Sequence, residues 1–171
     1  MLWASILLPQ LAIDAAIQGG RDPASAFVLI GGPLQRRQVV AMSTGARAGG
    51  VRIGQPLAAA QALLPQLHSS VLDRSASARL REAVTSIAYA CSECVNARED
   101  DAVTLEIGAS LRYFGGWPAL AAQLRRQLKV LGVRHRIGVA PTPLASLLAA
   151  TDRDGRIVDE RGLHDLLRRL P

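Results

Sequence analysis

Leu2-Trp3-Ala4-Ser5-Ile6-Leu7-Leu8-Pro9-Gln10-Leu11 lies near the start of the chain. A short, nearly continuous apolar run of this kind reads as a buried strand. Pro9-Gln10 ends it, and Leu11 to Ile17 continues as a short apolar helix. A strand that hands directly to a helix is the seed from which the rest of the fold is read.

Outward from it, Gly19-Gly20-Arg21-Asp22-Pro23 is a turn, and Ala26 to Ile30 a second buried strand closed by Gly31-Gly32-Pro33. Gln38 to Met42 reads as its neighbour, followed by Ser43 to Gly50, a small-residue turn or helix holding Arg47. Pro56 opens and Pro65 closes a helix over Leu57 to Leu64. Ser75 is the expected cap of a longer helix reaching about Asn96, with Leu80, Val84, Ile87 and Ala88 at helical spacing. Val103 to Ile107 alternates as a half-buried strand should, which leaves Glu106 solvated on the face opposite Leu105. Leu111 to Phe114 reads as a further strand, and Gly115-Gly116 turns the chain into a helix from Trp117 to Leu131. Arg134 to Val139 is a strand, Leu144 to Ala150 a helix, Ile157-Val158 a short strand and Glu160 to Leu170 an amphipathic helix. The fold class expected is α+β, a mixed, largely antiparallel sheet packed by helices.

Composition sets bounds on function. A chain of 171 residues can bury roughly two-thirds of its unfolded surface in one domain, with room for a modest insertion. No apolar run approaches the ~20 residues of a membrane helix, and Met1-Leu2-Trp3 has no basic leader, so a cytoplasmic protein without membrane contact is expected. The net charge is +6, nearly all of it arginine, since Lys129 is the only lysine. Guanidinium suits bidentate phosphate contacts, although GC-rich coding DNA gives the same excess. Cys91 and Cys94 make one CxxC with no second Cys/His pair at ligand spacing, so two cysteines on a partly buried helix is the preferred account over metal. Neither Gly31-Gly32 nor Gly115-Gly116 belongs to a phosphate-binding glycine motif, and His68, His135 and His164 form no catalytic grouping.

Five segments together resemble the Y-family, or translesion, DNA polymerases, and most closely their ImuB-like, catalytically degenerate branch. They are Leu8-Pro9-Gln10-Leu11, Ala46 to Gly54, Leu105 to Gly108, Leu111 to Gly116 and Ile137 to Ala145. They follow family order across nearly the whole chain, though each alone is short and Gly/Ala-rich. The resemblance implies a palm, residues 1–17 and 74–171, interrupted by a fingers-like insertion, 18–73. It also implies a piece of a longer protein, with the thumb, the little finger and a clamp-binding tail lying beyond Pro171.

In active relatives two acidic positions on the first palm strand and an Asp-Glu pair on a later one hold two metal ions. By resemblance these positions fall here on Leu8, Gln10, Asp101 and Ala102, of which only Asp101 is acidic. A one-residue slip would bring Asp100 into the later pair and leave the first strand empty. Two Mg²⁺ ions roughly 3.5–4 Å apart need several anionic ligands, so no catalytic residue, no metal and no cofactor are expected. The family's steric gate falls on Ile13, its triphosphate tyrosine on Thr44 and its palm lysine on Leu147, while Arg47 matches its arginine. Arg47 and Arg52 are the candidate phosphate contacts.

The function implied is a non-catalytic adaptor in damage-induced (SOS) translesion DNA synthesis and mutagenesis. Its partners by resemblance are an error-prone replicative-type polymerase, an accessory mutasome protein and the sliding clamp, with DNA as a further candidate. The alternatives are a weakly active nucleotidyltransferase using Mg²⁺ at Asp101 and Asp100, and a basic DNA-binding module without catalysis. In that module Arg36, Arg37, Arg125, Arg126, Arg134 and Arg136 would follow phosphates. Aromatic residues make up only 4% of the chain, a poor provision for base stacking.

Overall fold

The computed structural model describes residues 1–18, 25–97 and 101–168, so the expected turn at 19–23 and Asp100 lie outside the described residues. In chain order come β1 (Trp3–Leu7), α1 (Leu11–Gln18), β2 (Phe27–Gly31), a 3-10 turn (Leu34–Arg36), β3 (Gln38–Met42), α2 (Thr44–Ala48), α3 (Leu57–Leu63) and β4 (His68–Val71). The long helix α4 (Arg74–Tyr89) leads to β5 (Val95–Asn96), β6 (Ala102–Glu106), α5 (Leu111–Phe114), α6 (Trp117–Val130), β7 (Arg136–Ala140), α7 (Pro143–Asp152) and α8 (Glu160–Leu167). The architecture is α+β, and it divides into two compact units, Met1–Pro9 with Leu80–Pro171, and Gln10–Arg79. The expected insertion, 18–73, falls inside the second unit, which also takes α1.

The first unit is built on an antiparallel sheet of order β5-β6-β1-β7. β1 is central: Ser5 stands opposite Thr104 on one side and Gly138 on the other. Strands β1, β6 and β7 are buried on both faces, which demands cover on both. α7 lies over the row of Ser5, Thr104 and Gly138, where Ser5 Oγ is 2.8 Å from Thr104 Oγ1 and 2.7 Å from Ser146 Oγ. α4 buries Leu80, Val84 and Ala88, and α6 buries Leu120, Leu124 and Leu128, each a stripe at four-residue steps.

The second unit holds a three-stranded sheet of order β3-β2-β4, with β2 antiparallel to β3 and parallel to β4. One face is the core of Val28, Ile30, Val39, Met42, Ala46, Val51, Ala60 and Leu67. The other carries Phe27 and Leu29 against Ile13 of α1.

Several expectations are corrected. Leu111–Phe114 is a helical turn, not a strand. Gly115 at φ +79° takes the left-handed position, and the Gly116 N–H reaches the Leu111 carbonyl at 2.7 Å, a helix-ending geometry that overrides the strand preference of Tyr and Phe. α4 stops at Tyr89 rather than near Asn96, because the Ala88 carbonyl takes the N–H of both Cys91 and Ser92, and Ser92 Oγ then accepts from the Cys94 N–H. The two cysteines therefore lie beyond the helix, Cys91 buried and Cys94 exposed. The cap of α4 is Asp73, whose Oδ1 accepts from the N–H groups of Ser75 and Ala76. The Ser75 hydroxyl and these N–H groups hold that carboxyl below its ordinary value. Ile157-Val158 forms only an isolated bridge to Val139.

Candidate functional site: the carboxylate positions of the palm

Antiparallel pairing of β1 with β6 brings three of the four implied metal positions together. Leu7 stands opposite Ala102, and one step further the Leu8 N–H donates to the Asp101 carbonyl at 2.7 Å. Leu8 and Ala102 are each 1% exposed, whereas Asp101 is exposed. Ala102 packs with Leu7 and Ala150, and Leu147 of α7 closes over them. Leu147 is the position the resemblance implies for the palm lysine, so the positions implied for a cation and for a carboxylate fall in one apolar cluster.

The fourth position, Gln10, belongs to the second unit. Its carbonyl accepts from the Asp14 N–H at 2.9 Å, starting α1, and its Oε1 is buried without a hydrogen-bond partner among the described residues. Ile13 is fully enclosed with Phe27 and Leu29. Ser43 caps α2 by accepting from the Ala46 N–H, which leaves Thr44 and Arg47 exposed on that short helix. Arg52 is exposed in the turn after Val51, its backbone N–H held by Gln55 Oε1 at 3.1 Å.

A pair of magnesium ions does not fit the residues at Leu8, Gln10, Asp101 and Ala102. Mg²⁺ requires oxygen ligands, and Leu8 and Ala102 have none on their side chains. Asp101 is a single carboxylate, and its backbone carbonyl is already engaged by Leu8. Among the described residues no cluster of three or more His, Cys, Asp or Glu side chains is placed to hold a metal.

The carboxylates that are structurally engaged lie elsewhere. Glu106, expected in solvent, is half-buried: its Oε1 accepts from the N–H of Leu2 and Gly108 and its Oε2 from that of Ala109, which ties the end of β6 to the start of β1. Asp154 is pushed up by burial, but the Arg125 guanidinium at 2.8 Å and the Ile137 N–H outweigh this and hold it below its ordinary value. Asp14 is the only buried carboxylate among the described residues, and a charge inside the apolar stretch Leu11 to Ile17 was the signal for it. Of the arginines assigned to phosphate, Arg125 is engaged with Asp154, and Arg136 donates to the Thr151 carbonyl.

A family profile described as impB/mucB/samB matches residues 15–151, well over half of the chain. The chain belongs to the impB/mucB/samB family. A relative described as DNA polymerase IV, from Desulfatibacillum aliphaticivorans, is 29% identical over 124 residues, covering 72% of this chain and 31% of the relative. Among solved structures, an insertion ternary complex of Dbh DNA polymerase superposes with a TM-score of 0.82 at 15% identity, over 99% of this chain and 52% of that one. DinB from Sulfolobus solfataricus gives 0.77 at 13% identity, over 98% and 51%. The chain thus spans about a third of the first relative and about half of these structures, and its fold is that of the palm and fingers part of a Y-family polymerase. No helix among the described residues is long and apolar enough to cross a membrane.

Proposed function

We infer that this member of the impB/mucB/samB family is a non-catalytic adaptor in translesion DNA synthesis, an ImuB-like protein that keeps the polymerase frame and has lost the polymerase chemistry. The observation that carries this reading is the apolar packing of Leu7, Ala102, Leu147 and Ala150 beside a buried Leu8. Two-metal phosphoryl transfer depends on positioned charge, and apolar side chains at those positions supply none.

On this reading the chain works in the cytoplasm and assembles with an error-prone replicative-type polymerase, an accessory mutasome protein and the sliding clamp. Arg47 and Arg52 are its proposed phosphate contacts, because both guanidinium groups project from an exposed part of the second unit.

The test is a primer-extension assay of a full-length version of the protein with Mg²⁺ and with Mn²⁺, paired with calorimetric titration of each metal in the presence and absence of a deoxynucleoside triphosphate. The expected result is no extension and no metal binding in the millimolar range, unchanged by Asp101→Ala. Template-directed extension that Asp101→Ala abolishes would overturn the adaptor reading and support a nucleotidyltransferase.

A further inference from the structure

Helix α3 is unusual for a surface helix. Its sequence, Leu57-Ala58-Ala59-Ala60-Gln61-Ala62-Leu63, contains no charge, yet Ala60 is its only fully buried residue. A helix that is apolar all round is normally covered. Helical spacing places Ala58 and Gln61 toward one flank and Leu63 toward the other, with Ala59 and Ala62 facing outward between them.

A hollow lies on each flank. One, about 430 Å³, has Leu34, Leu57, Ala58, Arg36 and Arg37 among its lining residues. The other, about 530 Å³, lies between Ile53 and Leu63 with Arg52 beside them. Leu34, Ile53 and Leu63 are 79%, 62% and 55% exposed. Single exposed aliphatic residues are ordinary on a surface, but Leu63 on an uncharged helix with Leu34 and Ile53 beside hollows next to it is an arrangement of the kind that marks an interface. The patch is also held in place by its backbone. The Leu57 N–H donates to Arg37, the Val39 N–H to Gln55 and the Gly54 N–H to Val39, so the segments bearing Leu34 and Ile53 are tied to the start of α3.

Charge identifies the occupant. From residue 25 to residue 72 there are four arginines, Arg36, Arg37, Arg47 and Arg52, and no aspartate or glutamate. We propose that the α3 face docks an acidic amphipathic segment of a partner protein, whose apolar side chains fill the two hollows while its carboxylates meet Arg36 and Arg37. Nucleic acid fits the arginines but not the rest: residues 28–72 contain no Phe, Tyr or Trp on which a base could stack, and aliphatic anchors contribute nothing to phosphate binding. The docking surface lies wholly within the second unit and stands whether or not the palm is catalytic.

The probes are two fluorescein-labelled synthetic helical peptides with the same leucine stripe, one with glutamate and one with lysine at the polar positions. Binding is read by fluorescence anisotropy against the parent chain, a Leu34→Ser/Leu63→Ser variant and an Arg36→Ser variant. All three positions are solvent-facing, and a thermal melt checks that each variant is folded. The glutamate peptide is expected to bind more weakly as salt rises, to lose at least about tenfold in affinity with the double serine variant and several-fold with Arg36→Ser, and the lysine peptide not to bind. Equal binding of both peptides, no binding of either, or indifference to the double variant would overturn the proposal. So would light scattering that shows a dimer of the parent chain dissolved by the double variant, which would assign the face to a second copy. Binding of a duplex oligonucleotide that displaces the glutamate peptide and is untouched by the double variant would assign it to DNA.

Discussion

Replacing Gly138 with alanine is the most direct test of how α7 is seated on the palm sheet. A Cβ at this position would stand 2.2 Å from the Ala150 nitrogen, 2.4 Å from the Ser146 oxygen and 2.8 Å from the Ala149 carbonyl carbon. All three are backbone atoms, so no rotamer change relieves the contact. Non-bonded heavy atoms settle at roughly 3.5–4 Å, so the helix would have to retreat by more than about 1 Å. Retreat loosens the Ser5–Ser146 hydroxyl bond of 2.7 Å and the packing of Ala140, Ala145, Ala149 and Val158. Overpacking costs about 1–3 kcal/mol, and a weakened buried hydrogen bond adds about 1 kcal/mol. Alanine recovers only about 0.5–1 kcal/mol of strand entropy over glycine, so the clash wins. The expected net loss is about 2 kcal/mol, which for a chain of this size lowers Tm by roughly 4–8 °C. Urea unfolding followed by circular dichroism at 25 °C measures it. A loss under about 1 kcal/mol would refute the close seating of α7 on β7.

Other perturbations probe separate parts of the structure. Cys94 is exposed, while Cys91 is 3% exposed and its thiol is raised by burial, so Ellman's reagent should titrate one thiol rapidly in the native chain and two in urea, with Cys94→Ser removing the fast phase. Two fast thiols would mean that the turn after α4 opens readily. Asp154 has its folded pKa depressed below the ordinary 3.8, so its contribution is present above that pH and is lost as pH falls through the lower folded value. The Tm difference between the parent and Asp154→Asn should therefore be seen at pH 6 and vanish in strong acid, and a difference that grows on acidification would contradict the Arg125 pairing. Leu124 on α6 is fully buried, and Leu124→Ala should cost about 2–5 kcal/mol by urea unfolding, against little for a change at exposed Arg126.

Much of the architecture was legible because it rests on patterns that local chemistry fixes. The apolar runs at Trp3–Leu7 and Phe27–Gly31 could only be buried strands, and the leucines of α6 fall on one stripe. What escaped was decided by tertiary contacts. β4 is the polar string His68-Ser69-Ser70-Val71, with no strand signal of its own; it exists because it pairs in parallel with β2. The two residues of β5 likewise exist only against β6. Glu106 was misplaced because alternation in β6 implied a solvated face, whereas β6 is buried on both and its last side chain folds back onto backbone N–H groups. At the palm positions the identity of Leu8 and Ala102 could be read directly, but the closure of Leu147 over Ala102 required the helix to be placed.

That closure changes what holds the end of β1 in place. In a two-metal site, neighbouring carboxylates repel one another until cations arrive, so the geometry depends on the ions it binds. Here dispersion and burial hold the same strand ends, and the Leu8–Asp101 backbone bond extends the β1–β6 ladder to that point. Introducing charge at the buried end of β1 is uphill. A carboxylate at Leu8 would be introduced where the side chain is 1% exposed, giving up about 1.5–3 kcal/mol of apolar burial and adding a desolvated charge before any metal could compensate.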